Sequence, residues 1–211
     1  MQKWKISLLV LVIAGTLAGC GQDKTPEVKS VSIGKDGMIT HQIVGGFEQN
    51  YDMDEIEKLA SDRVAEYCAD NGADSVTLES VEKTDDKVLI KLNYATAQDY
   101  SDFNHREMFV GTVAEANEQG YKLENVAFVS ADGNPMEISY IEDHDKTQIA
   151  IIGTKPTEEL VVNIYGKVLY INQSATSDLD VSFSGKKGVH ITHPEIEGSA
   201  NETILSYIIF E

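Results

Sequence analysis

Past Gly120 the chain never runs far without a turn signal. Short runs rich in β-branched and aromatic residues occupy 125–130, 136–141, 148–153, 160–165, 167–172, 179–184, 189–192 and 203–210. "ADGNP", "YGK" and "SGKKG" punctuate them. Glycine, proline and asparagine at such breaks reverse the chain, and the intervals are too short for helices of ordinary length. The spacing predicts seven or eight strands over 121–211, arranged as a β-sandwich or jelly-roll-like region.

The preceding part is mixed. Residues 28–33 and 38–44 flank "GKDG" and read as a hairpin. Residues 53–71 read as an amphipathic helix. Asp52 and Glu55 are spaced as a capping box, and Ile56, Leu59, Ala60, Val64, Tyr67 and Cys68 recur on one face. Asn71-Gly72 stops it. Residues 75–83 and 87–95 flank "TDD"; Val88, Ile90, Leu92 and Tyr94 alternate with Leu89, Lys91 and Asn93, as a half-buried strand requires. Two short helices are expected at 97–103 and 113–119, the second with Thr112 and Glu115 as capping box and Gly120 as stop. The fold class is therefore α+β. A small N-terminal antiparallel sheet with one amphipathic helix is expected over 28–120, then an all-β region over 121–211.

The N-terminus belongs to neither part. Lys3 and Lys5 precede an uncharged run of thirteen residues, 6–18. A membrane-spanning helix needs about 20 apolar residues, so this run is short for a span and suits the core of a signal peptide. Its end, Leu17-Ala18-Gly19-Cys20, resembles the lipobox of bacterial lipoproteins. That resemblance implies cleavage between Gly19 and Cys20, diacylglyceryl attachment to the Cys20 sulfur, and a signal peptide at 1–19. Residues 20–27, polar and containing Pro26, would tether the folded part to the extracytoplasmic face of the cell membrane. One acyl chain holds marginally, at about 0.8 kcal/mol per buried methylene; two anchor stably. The alternative is an ordinary secretory signal with an incidental cysteine.

Charge and cysteine count narrow the partners. Loss of Lys3 and Lys5 takes the formal net charge from −18 to −20. Such a surface repels phosphate backbones and excludes nucleic acid as an expected partner. A hydrophobic content of 42% supports a real core. With Cys20 lipidated, Cys68 has no disulfide partner. Its place on the helix's apolar face reads as packing.

No catalytic constellation stands out. His190 and His193 sit three apart in an expected strand, where their side chains point oppositely. Glu142, Asp143, His144 and Asp145 form a charged turn whose oxygens would favour Ca²⁺, with solvation as the default. There is no G-x-S-x-G or S-x-x-K motif, and "SGKKG" lacks P-loop order. The carboxylate pairs Asp85–Asp86, Asp99–Asp102 and Asp178–Asp180 would serve a glycosidase only across a cleft, about 5 to 9.5 Å apart. Asn172 and Asn201 begin N-glycosylation patterns in expected loops. Tyr94, Tyr100, Phe103 and Phe109 read either as a ligand surface or as packing between helix and sheet. No metal, cofactor or catalytic residue is assigned.

The "SIGKDGMIT" hairpin, the acidic helix, "NYATAQDYSDFN" at 93–104 and "GTVAEANEQGY" at 111–121 carry a second resemblance. Over roughly residues 30–121 the chain is similar to uncharacterised lipoproteins of Gram-positive anaerobes. It implies a Gram-positive cell surface and transfers no site residue. The expected function is a non-enzymatic binding or interaction role at the envelope, with a protein or glycan partner. An envelope hydrolase using a carboxylate pair is the alternative. A solute-binding lipoprotein is a third, disfavoured because alternating helices and strands in two lobes are absent.

Overall fold

The structure, a computed structural model, describes residues 28–47, 51–137, 140–141, 144–173, 180–192 and 203–211. The fold is mixed α+β, with two sheets and three α-helices among the described residues. In chain order the elements are β1 (Lys29–Ile33), β2 (Ile39–Gly46), α1 (Met53–Asn71), β3 (Val76–Thr84), β4 (Lys87–Tyr94), α2 (Ala97–Asn104), β5 (Met108–Thr112), α3 (Val113–Glu118) and β6 (Phe128–Ser130). Then follow β7 (Gln148–Thr154), β8 (Glu159–Ile164), β9 (Val168–Asn172), β10 (Asp180–Ser184), β11 (Gly188–Thr192) and β12 (Ile204–Phe210).

The expected layout, a sheet from 28–120 followed by a separate β region from 121–211, is corrected by the strand order. The larger sheet runs β10-β11-β8-β1-β2-β4-β3 and the smaller β5-β7-β12-β9-β6. Both draw strands from either side of Gly120. The join is β1 against β8, the parallel pair, with Val31 opposite Val162 and Ile33 opposite Ile164. This register continues one apolar face across the boundary, which is why β1 recruits β8.

Each sheet follows from its strand periodicity. In β7, Ile149 and Ile151 point one way and Ala150 and Ile152 the other; all four are buried. In β12, Ile209 opposes Ile208 and Phe210. The smaller sheet is thus apolar on both faces, as a sheet covered on both sides must be. One face meets Val31, Ile33, Leu160, Val162 and Ile191 of the larger sheet in the main core. The other is closed by Val113 and Ala116 of α3, with Leu123 and Phe128. The larger sheet has one wet face, where Thr40 donates to Asn93 (2.8 Å) and both Lys91 (2.6 Å) and Asn93 (2.9 Å) donate to Glu79.

The helices end where their caps dictate. The Asp52 side chain accepts from Asp54 N–H at 2.9 Å and starts α1; Gly72, with φ 112°, ends it. Thr112 and Glu115 exchange side-chain and backbone bonds at α3, a complete capping box. The strand expected at 136–141 is corrected. Met136 N–H bonds Phe128, but Tyr140 and Ile141 are helical, with Tyr140 N–H on Glu137. Pro135, lacking an N–H, reaches Val129 only as an isolated bridge.

Two outcomes test this architecture. Ile208→Ala, in the main core, lowers stability by about 2–5 kcal/mol in chemical denaturation. A fragment of residues 28–120 leaves β1 without β8 and shows no cooperative thermal transition; a sharp two-state melt would contradict the interleaving.

Candidate functional site

The alternation in β4 sends Ile90, Leu92 and Tyr94 to the sheet's inner face. There they pair with Ile43, His41 and Ile39 of β2. The two sheets cannot cover this corner, so helices do. Tyr100 and Phe103 of α2 pack edge-on against Tyr94, at 5.2 and 5.6 Å between ring centroids. The C-terminal half of α1 is tied down by three contacts. Cys68 Sγ donates to Val76 O (3.2 Å), Tyr67 Oη to Asp99 (3.2 Å), and Arg63 Nη2 to Phe103 O (2.7 Å). The Arg63 guanidinium also lies 4.6 Å over the Phe103 ring.

Toward its N-terminus α1 stands off the sheet. A groove of about 270 Å³ opens there, lined by Ile43, Ile56, Ala60, Ile90, Leu92 and Phe103 together with Arg63 and Asn104, and with Leu59 on its lip. Leu59, expected on the buried face, is 62% exposed. Glu55, Asp62 and Glu66, four before, three after and seven after Leu59, share its side of the helix and are exposed. The result is an apolar slot with an acidic outer lip. Its polar lining residues are Arg63 and Asn104, and the rest of its wall suits apolar side chains.

Beside this corner lies a buried ionic knot. Glu158, 9% exposed, ends a turn in which Thr157 adopts φ 65°. Its carboxylate accepts from Arg106 at 2.5 Å and from Lys155 N–H at 3.1 Å, with Lys29 Nζ at 3.5 Å. Burial pushes the carboxyl up. The hydrogen bonds from Arg106 and Lys155 and the charges of Arg106 and Lys29 outweigh it and hold the carboxyl below its ordinary value. His41, 7% exposed, sits 5.3 Å from Tyr100 and 6.5 Å from Tyr94, its Nδ1 without a partner. Burial first, then the charge of Arg106, lowers it from 6.5 to about 4, so the ring is neutral at pH 7.

The residues singled out from sequence fall mostly elsewhere. Tyr94, Tyr100, Phe103 and Phe109 are all buried and serve packing, with Phe103 also bordering the groove beneath α1. His190 pairs with Glu159 at 2.7 Å, while His193 lies outside the described residues. His144 stacks on Tyr140 at 4.0 Å; Glu142 and Asp143 lie outside. Among the described residues no group of three or more His, Cys, Asp or Glu is placed to hold a metal. Asp85 and Asp86 cap the β3–β4 hairpin; Asp99 accepts from Thr96 and Tyr67, and Asp102 from Gln98. Asp178 lies outside. "SGKKG" is the β10–β11 turn, with Lys187 Nζ on Tyr165 O at 2.8 Å. Asn172, expected in a loop, is buried in β9 and accepts from Tyr207 N–H at 2.9 Å; Asn201 lies outside. Gly19, Cys20 and everything at 1–27 also lie outside. Among the described residues no helix is long and apolar enough to cross a membrane.

Local patterning missed Arg106, Glu158 and the outward turn of Leu59. Arg106 and Glu158 lie 52 residues apart and meet only through tertiary packing. No family model, curated protein or solved structure matches the chain.

The knot makes stability pH-dependent. Unfolded, His41 takes its proton near 6.5; folded, only near about 4. The unfolded state therefore binds more protons between these values. Stability falls as pH drops from 6.5 to about 4, by about 3 kcal/mol from this residue. Glu158 acts in the same direction at lower pH, as its carboxylate protonates. Denaturation curves of His41→Phe should lose the slope between pH 6.5 and 4; a slope unchanged from wild type would refute the assignment.

Proposed function

We propose that the chain is a bacterial lipoprotein anchored through Cys20 on the extracytoplasmic face of the cell membrane. Its globular part serves a non-enzymatic binding role at the envelope, and resemblance over 30–121 favours a Gram-positive surface. The observation that carries the binding role is the open groove beneath α1, with Leu59 exposed on its lip. Folding normally hides a leucine that can reach an apolar slot, and an apolar concavity left open is how surfaces receive partners. Its mostly aliphatic lining, in which the Phe103 ring is only 6% exposed, suits an apolar protein side chain better than a sugar ring, which takes an open aromatic face. The anchor is supported by Leu17-Ala18-Gly19-Cys20 preceding a polar tether of a few residues.

Two variants test the two halves of the proposal. Cys20→Ala abolishes labelling by radioactive palmitate and releases the protein from membranes; a variant still labelled and bound overturns the anchor. Leu59→Asp melts within about 1 kcal/mol of wild type, as exposed positions do. It loses the envelope protein that cross-links to the wild type; retention of the same cross-link sinks the groove assignment.

A further inference from the structure

The groove beneath α1 is asymmetric in charge. Along its outer side one line of helix positions carries Glu55, Leu59, Asp62, Glu66 and Asp70, at steps of four, three, four and four residues, which keeps them on one stripe. All five are exposed. α1 holds two cations, Lys58 and Arg63, and neither neutralises this stripe fully. Lys58 pairs with Asp62 from the neighbouring line. Arg63 reaches across to α2, with Nη2 donating to Phe103 O at 2.7 Å and the guanidinium 4.6 Å over the Phe103 ring. Among the described residues Glu55 and Glu66 meet no cation at salt-bridge distance, so the lip keeps free negative charge.

The opposite side differs. Arg63 and Asn104 mark the α2 side, where the Asn104 amide donates to Tyr100 O at 2.8 Å. Between the two sides lie Ile43, Ile56, Ala60 and Ile90. A segment seated here buries apolar side chains against these residues. Its outer edge then lies against carboxylates, where a cation is attracted and a second carboxylate is rejected. Glu55 and Glu66 are eleven residues apart, about 16 Å along the helix axis, so a partner helix of about three turns spans both. An anionic bilayer is a poor occupant, because the same carboxylates repel its phosphates.

We infer that the groove takes a cationic amphipathic helix of a partner protein, with apolar side chains in the slot and lysine or arginine along the edge that meets Glu55 and Glu66. This rests on the groove reading above. The mode is a helix laid into an apolar groove, anchored through side chains at i, i+3 and i+4. Apolar contact supplies most of the affinity, and the lip selects the partner and its direction. Reversing the helix would carry its basic edge from the carboxylates to the Arg63 side.

The test uses the full chain exchanged from detergent into phosphatidylcholine nanodiscs. The probe is a synthetic helical peptide of leucine and lysine, with one leucine replaced by a photoreactive diazirine analogue. Two counterparts carry glutamate for every lysine, or serine for the remaining leucines. After irradiation, mass spectrometry should place the cross-links of the leucine–lysine peptide on the groove, at Ile56, Ala60 or Ile90. Both counterparts should leave those residues unlabelled. Glu55→Gln with Glu66→Gln changes two exposed side chains and leaves the fold intact. It should raise the peptide concentration for half-maximal labelling about fivefold, or roughly 1 kcal/mol for two exposed ion pairs. If the lysine and glutamate peptides label the groove equally and the double variant labels as wild type does, the cationic partner is overturned and the groove stands. If no peptide labels the groove, or the labels scatter over the acidic surface, the groove reading falls and takes this inference with it.

Discussion

The fold depends on the parallel pairing of β1 with β8. Val31 and Ile33 of β1 lie against Val162 and Ile164 of β8, all buried, and their apolar face meets Ala150, Ile152 and Ile208 of the smaller sheet. Without that register the larger sheet would divide at β1 into two pieces, each with an apolar face too narrow to cover the smaller sheet. The pairing joins residues 131 apart in sequence, such as Ser30 and Val161. Closing so long a loop gains nothing until both sheets are in place, so folding is expected to be slow and cooperative rather than modular.

Much of the local structure is legible in the residues themselves. Alternation at Val88, Ile90, Leu92 and Tyr94 marks β4, and Thr112 with Glu115 marks the start of α3, because side-chain period and capping act within a few residues. The β1–β8 register is not legible, since nothing local selects a parallel partner from among several apolar strands. The division at Gly120 fails for the same reason. A change from helices to short strands is a change of local pattern, and it carries no statement about which strands share a sheet. At the knot the difficulty is different: Glu158 looks like any surface carboxylate until the fold brings Arg106 and Lys29 around it.

The groove has a cause in the composition of α1. Of its apolar residues, Val64, Tyr67 and Cys68 pack toward the core, all in the C-terminal half. The N-terminal half carries Asp54, Glu55 and Glu57, with Lys58 spent on Asp62. These exposed charges hold that half in water while the other half is bonded to Val76 and α2, so the helix is anchored at one end and open at the other. A charged pair exposed on a helix contributes little to stability. The acids on this stretch shape where the helix can bury itself, and they do little to hold it together.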